Sequence, residues 1–111
     1  MTDQYDGPET GGIKITVLYG APADRDAFEK YYEETHMPLV DEVDDLGDVE
    51  LSLGLPGADG SPPAFYRMIE FWFDNVEHLQ SVTSTPEWKR VVDDVPNFAT
   101  GGAKVLVSQI V

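Results

Sequence analysis

The sequence predicts an α+β domain of the ferredoxin-like kind, an antiparallel sheet with helices on one face, and three observations point there. A β-branched alternating run, Ile13-Lys14-Ile15-Thr16-Val17-Leu18-Tyr19, precedes an amphipathic helical stretch. Two further strand-like segments flank a Pro- and Gly-rich loop, and a second helical region and a closing apolar strand follow. The resulting order, strand–helix–strand–strand–helix–strand, puts both helical regions on one side of the sheet. At 111 residues there is room for one core only, so the expected organisation is a flexible acidic tail over 1–12 and one domain over 13–111.

Each element has its own warrant. Residues 1–12 carry Asp3, Asp6, Glu9, Pro8 and glycines with almost nothing apolar. Gly20-Ala21-Pro22 stops the first strand, and Asp24 is placed to cap a helix bearing Phe28, Tyr31, Tyr32, Thr35 and His36 at helical spacing. Pro38 disfavours the α region for Met37, so this helix is expected to end near His36. From Asp48 to Leu55, Leu51, Leu53 and Leu55 alternate with Glu50, Ser52 and Gly54 as a half-buried strand. Beyond the loop from Pro56 to Pro63, the run Phe65 to Phe73 is apolar enough for a central strand covered on both faces. Asp74-Asn75-Val76-Glu77 has the form of a capping box for a helix through Leu79 and Val82. A further helix start at Ser84-Thr85-Pro86-Glu87 gives a buried stripe of Trp88, Val91, Val92 and Val95. Pro96 closes it, Gly101-Gly102 turns the chain, and Lys104 to Ile110 supplies the last strand.

Composition narrows the partners. With 21 acidic against 7 basic residues the formal net charge is -14, which opposes phosphate backbones and anionic membrane surfaces. No nucleic-acid partner is expected, and no membrane partner, since no apolar run approaches the roughly 20 residues of a membrane span. The polar, acidic start shows no secretory signal, so the expected location is cytoplasmic. Absence of Cys removes disulfides, thiolate catalysis and Cys-ligated metals. The acidic shell suits a halophilic protein, because dense salt screens its self-repulsion.

Strand alternation divides the sheet. If Ile13, Ile15, Val17, Leu51, Leu53, Ile69 and Phe71 meet the helices, the opposite face carries Thr16, Leu18, Ser52, Tyr66, Met68, Glu70 and Trp72. That face is too apolar for water, which predicts a homodimer with two sheets facing each other. Leu18, Tyr66, Met68 and Trp72 also have the composition of a substrate-binding pocket for a small hydrophobic organic molecule.

His36 is the leading catalytic candidate, a group titrating near neutrality with Tyr32 one turn before it. A His⁺ stabilising a helix C-terminus is the alternative. Glu70, inside the most apolar strand, needs a partner, and Lys14, Lys104 or Arg67 could serve. Arg67 points to the other face and should not pair with it. His78 is expected on the surface. There is no GxGxxG, no GxxxxGK[ST], no Ser-centred elbow and no HExxH-type pair, so no cofactor and no metal are expected. Asp93-Asp94 could bind a hard cation, although a solvated helix end accounts for it as well.

The run Ile13 to Gly20, then Phe28 with Tyr31-Tyr32, then His36-Met37-Pro38-Leu39, resembles the opening of EthD proteins, named for a role in ethyl tert-butyl ether degradation. Asp94-Val95-Pro96-Asn97-Phe98-Ala99-Thr100-Gly101-Gly102 resembles their closing stretch, and Ser84 with Trp88 falls where their second-half helix begins. The resemblance implies a dimeric α+β barrel and an oxidoreductase or reductase label. Relatives on this barrel include isomerases, cyclases and cofactor-independent monooxygenases. By position, His36 matches the family's helix-ending His, Asp94 its acidic residue and Phe98 its following aromatic. The expected site is therefore His36 transferring a proton, Tyr32 and Glu70 orienting the substrate, and Asp94 and Phe98 completing it inside a dimer barrel pocket. A non-catalytic small-molecule binding protein is the alternative.

Overall fold

The computed structural model describes residues 11–111, and most of the tail expected at 1–12 lies outside that range. Four strands form: β1 (Ile13–Tyr19), β2 (Val49–Leu53), β3 (Arg67–Phe73) and β4 (Ala103–Gln109). They make one antiparallel sheet in the order β2-β3-β1-β4, so the two most apolar strands lie at its centre. The helical regions are α1 (Arg25–Tyr31) with α2 (Met37–Asp41), and α3 (Val76–Thr83) with α4 (Pro86–Asp94). This is the expected α+β, ferredoxin-like arrangement, with each helical region in two pieces.

The first helical region does not stop at His36. Tyr32–His36 form a π-helical turn that runs directly into α2, with the Met37 N–H reaching back to the Tyr32 carbonyl. Pro38 has no N–H for the turn before it, and its ring crowds the carbonyl four residues back. Widening that turn accommodates the ring without ending the helix. Asp24 caps α1 through the Ala27 N–H at 3.1 Å, as its position suggests. The α3 cap is Asn75, accepting from the His78 N–H at 2.8 Å, so the capping residue is one later than the capping-box pattern implies. Thr85 caps α4 ahead of Pro86.

Ile13, Ile15, Val17, Tyr19, Ile69, Phe71 and Phe73 are buried against the helices, where Trp88 packs edge-on to Phe71. Leu51 and Leu53 share this face by register but stay about half exposed, because the helices cover the central strands and not the β2 edge. In α4, Trp88 and Val91 are buried while Val92 is exposed and Asp94 is buried in its stead.

The other face carries Lys14, Thr16, Leu18, Met68, Glu70 and Trp72, and nothing among the described residues packs across it. The both-sides cover expected for β3 is thus absent among the described residues, and Met68 and Trp72 are only half buried. Tyr66 precedes β3 and departs from that face: its hydroxyl donates to Glu29 on α1 at 2.5 Å and its ring meets Phe28 edge-on.

Gly20 and Gly101 cross where β1 ends. A Cβ on either would strike backbone of the opposite segment, the Gly101 carbonyl in one case and the Ala21 carbonyl in the other. Only glycine permits this approach, and it seats the segment after α4 against β1, with the Gly20 N–H bonded to the Gly102 carbonyl at 3.0 Å.

Candidate functional site

The π-helical turn and the end of α4 meet above Tyr19, and His36 faces Asp94 there. Nδ1 of His36 lies 2.9 Å from Oδ2 of Asp94, and His36 is 1% exposed. The other carboxylate oxygen, Oδ1, accepts from the Tyr31 hydroxyl at 2.6 Å and the Asn97 amide at 3.0 Å. Asp94 is therefore held from three sides.

Electrostatics fix the protonation. Burial alone would raise the Asp94 pKa, but the hydrogen bonds from Tyr31, Asn97 and His36 outweigh it and hold it below the ordinary value. Burial pushes His36 down, with the Asp94 hydrogen bond only partly offsetting it. At neutral pH the pair is a neutral imidazole beside a carboxylate. An ionised carboxylate can only accept, so Nδ1 carries the proton and Nε2 keeps its lone pair. Among the described residues, Nε2 has no hydrogen-bond partner.

Aromatic rings surround the pair. Phe98 lies 4.5 Å and Tyr32 5.1 Å from the His36 ring, centroid to centroid. Phe28 stacks on Tyr32, and Tyr19 closes the cluster edge-on. The Tyr32 hydroxyl is buried and has no hydrogen-bond partner among the described residues. Burial pushes its pKa up, and the nearby Tyr19 hydroxyl adds to the shift. Beside Tyr32, the Arg67 guanidinium sits 5.0 Å over its ring and grips Glu29, which Tyr66 also bonds.

His36, Tyr32, Asp94 and Phe98 are thus together on the helix side of the sheet. Glu70 is not with them. It lies on the opposite face, paired with Lys14 at 3.1 Å and near the Thr16 hydroxyl at 3.4 Å. Of the three candidate partners Lys14 is the one used, and Arg67 faces away to Glu29 as alternation requires. Leu18, Met68 and Trp72 share the Glu70 face, so they and His36 do not line one cavity within the chain. Tyr66 belongs to the helix side.

Tyr31, Asn97 and Arg67 also border this candidate site, and none of them is given a role in it by the sequence alone. Asn97 stands three residues after Asp94, a helical-turn spacing that could have flagged it. Tyr31 was indistinguishable from a core aromatic. His78 is half buried rather than on the surface: Nδ1 accepts from the Asp74 N–H at 2.9 Å, and Nε2 donates to the Asp45 carbonyl at 2.6 Å. It staples the loop where Asp45 has φ +67°. Asp93 is exposed and paired with Lys89, and among the described residues no group of three or more His, Cys, Asp or Glu is placed to hold a metal ion.

A ferredoxin-like α+β domain with a buried His–Asp pair between its helices is the class these features define. The EthD domain model matches residues 21–102, and the chain belongs to the EthD family. An uncharacterised 11.0 kDa protein from the thcB-thcC intergenic region of Rhodococcus erythropolis is 30% identical over 93 residues, covering 84% of this chain and 89% of that one. An ethyl tert-butyl ether d (EthD) family protein from Bacillus halodurans C-125 superposes with a TM-score of 0.81 at 29% identity, covering 90% of this chain and 99% of that one. An EthD-like protein from Ralstonia eutropha JMP134 gives 0.68 at 28% identity, covering 93% and 95%.

Proposed function

We propose that this EthD-family chain is a small-molecule enzyme in which Nε2 of His36 removes a proton from a carbon of a small, largely apolar substrate. The observation that carries the proposal is the Nδ1–Asp94 hydrogen bond of 2.9 Å in a buried site. Asp94 fixes the tautomer and stabilises the imidazolium that forms when Nε2 takes the proton. The aromatic shell of Tyr32, Phe28 and Phe98 supplies apolar contact. Isomerisation, cyclisation and oxidation of an acidic carbon share this first step, so the oxidoreductase label of the resemblance is compatible with it.

The open sheet face has a separate task in this proposal. Leu18, Met68, Trp72 and Leu106 form its apolar part, and a second copy of the chain covers them sheet to sheet. The homodimer places Glu70, already neutralised by Lys14, in the interface and not in the reaction.

The test is carbon-bound hydrogen exchange in D2O with 1-indanone and related small aromatic ketones, followed by NMR. Wild type is expected to accelerate the exchange and His36→Gln to abolish the acceleration. Equal rates in the two would defeat the enzyme proposal and favour a binding protein.

A further inference from the structure

The geometry points to Tyr32 and Arg67 as an oxyanion-binding pair, taking the carbonyl oxygen of the substrate and holding it as an enolate oxygen after the neighbouring carbon loses its proton. The inference rests on the proton-transfer proposal above and names its substrate class, an enolisable carbonyl compound.

Two observations independent of the His–Asp pair support it. The Tyr32 hydroxyl is, among the described residues, the one buried side-chain polar atom with no hydrogen-bond partner, on a residue 2% exposed. Buried donors are satisfied as a rule, and an orphan calls for an acceptor that arrives with a ligand. Arg67 is the second. It stands over the Tyr32 ring on the wall of the same groove, a space of about 410 Å³ between the first helical region and β2. Glu29 occupies Nε and one terminal nitrogen of Arg67, and the other terminal nitrogen has no partner among the described residues.

Both groups are donors at working pH. The guanidinium is permanently charged, and burial keeps the Tyr32 phenol protonated. Their common ligand is an acceptor oxygen. Charge at the groove mouth favours a neutral arrival: Glu29, Glu33 and Glu34 line it with Lys30 and Arg67, which leaves one net negative charge against an incoming anion. A neutral carbonyl passes this ring and becomes negative only at the donors. The donors then bind the reacted state more tightly than the substrate, which is the condition for catalysis. Leu51 offers apolar surface to the rest of the molecule. Arg67 covers Tyr32 from the groove and is held to Glu29 through two nitrogens in a partly exposed pair, so binding an oxygen at Tyr32 requires this cover to turn aside.

The step balances without a co-reactant. The C–H bond breaks and its proton goes to Nε2. The electron pair forms the C=C bond and the C=O π pair moves to oxygen; return of the proton to the same carbon completes an exchange, and in a β,γ-unsaturated carbonyl compound its return to the γ-carbon completes an isomerisation.

The probe is 4-nitrophenol, whose phenol and phenolate forms differ in colour and mimic the enol and enolate. Bound to the full-length wild type, it is expected to ionise at a lower pH than free in solution. Tyr32→Phe and Arg67→Gln should each weaken phenolate binding about tenfold. Arg67→Gln, a change at a partly exposed side chain, keeps the test decisive if Tyr32→Phe does not fold. His36→Gln should retain the phenolate preference while losing isotope exchange, so the two proposals fail separately. No binding at millimolar 4-nitrophenol, unchanged ionisation on binding, or variants that match wild type would overturn the pair.

Discussion

His36 and Glu70 stand on opposite faces of one four-stranded sheet, His36 enclosed by Tyr32 and Phe98 and Glu70 tied to Lys14 and Thr16. Two centrally placed titratable groups of the domain therefore have different work. On the proposal above, the chemistry belongs to the helix side and the contact between copies to the open face.

The open-face assignment predicts the assembly. Light scattering at micromolar protein is expected to give twice the 12.3 kDa chain mass. Trp72→Glu or Met68→Glu puts a charge into the apolar contact and should shift the mass to that of one chain with the fold intact. A wild type that scatters as a single chain would remove the homodimer.

Asp94→Asn tests the tie to His36. The amide can no longer fix Nδ1–H as the carboxylate does, and it removes the charge that stabilises the imidazolium. Isotope exchange should drop about 100-fold or more. Stability should fall by about 1–3 kcal/mol because Tyr31, Asn97 and His36 lose a charged acceptor. Thermal melts beside exchange rates measure both.

The pKa directions predict how stability depends on pH. His36 is depressed by burial, so below about 6.5 the unfolded chain binds a proton that the folded chain refuses. Stability should fall as pH drops from 7 through 6.5 toward the folded His36 pKa, and His36→Gln should flatten this slope. Asp94 acts lower: its depressed pKa gives stability present above the ordinary carboxylate value and lost as pH falls through the folded one. Melts from pH 7 to 3 on both variants separate the two windows.

Gly101→Ala should destabilise by about 1–3 kcal/mol, since its Cβ meets the Ala21 backbone and not a side chain that can swing away. Chemical denaturation reads it. The substitution also loosens Asn97 and Phe98 against the site, so exchange activity should fall with it. A neutral outcome would mean that the crossing at Gly20 is slack.

Strand identities and the helix face were legible because Ile13 to Tyr19 has the period that a half-covered sheet demands, whereas the near-continuous apolarity of Phe65 to Phe73 marks a strand but suggests cover on both faces. His36 and Asp94 were legible as a pair of motif positions, but not as a contact, since 58 residues separate them and only the fold closes that distance. Tyr66 was misplaced because alternation was extended one residue before β3 begins, where the chain already turns toward α1. The π-helical turn was hidden because Pro38 signals a helix end and the structure widens the turn instead. Arg67 faced the helices as alternation says, yet its place over Tyr32 depends on Glu29, which looked like a solvated helix residue.

The central claim is that burial keeps His36 neutral while Asp94 fixes its proton on Nδ1 and leaves a lone pair on Nε2. Long-range ¹H–¹⁵N correlation of the imidazole nitrogens at pH 7 tests it directly. The account predicts a protonated Nδ1 and an unprotonated Nε2, a state lost in Asp94→Asn. An imidazolium with both nitrogens protonated, or a proton on Nε2 alone, would contradict it.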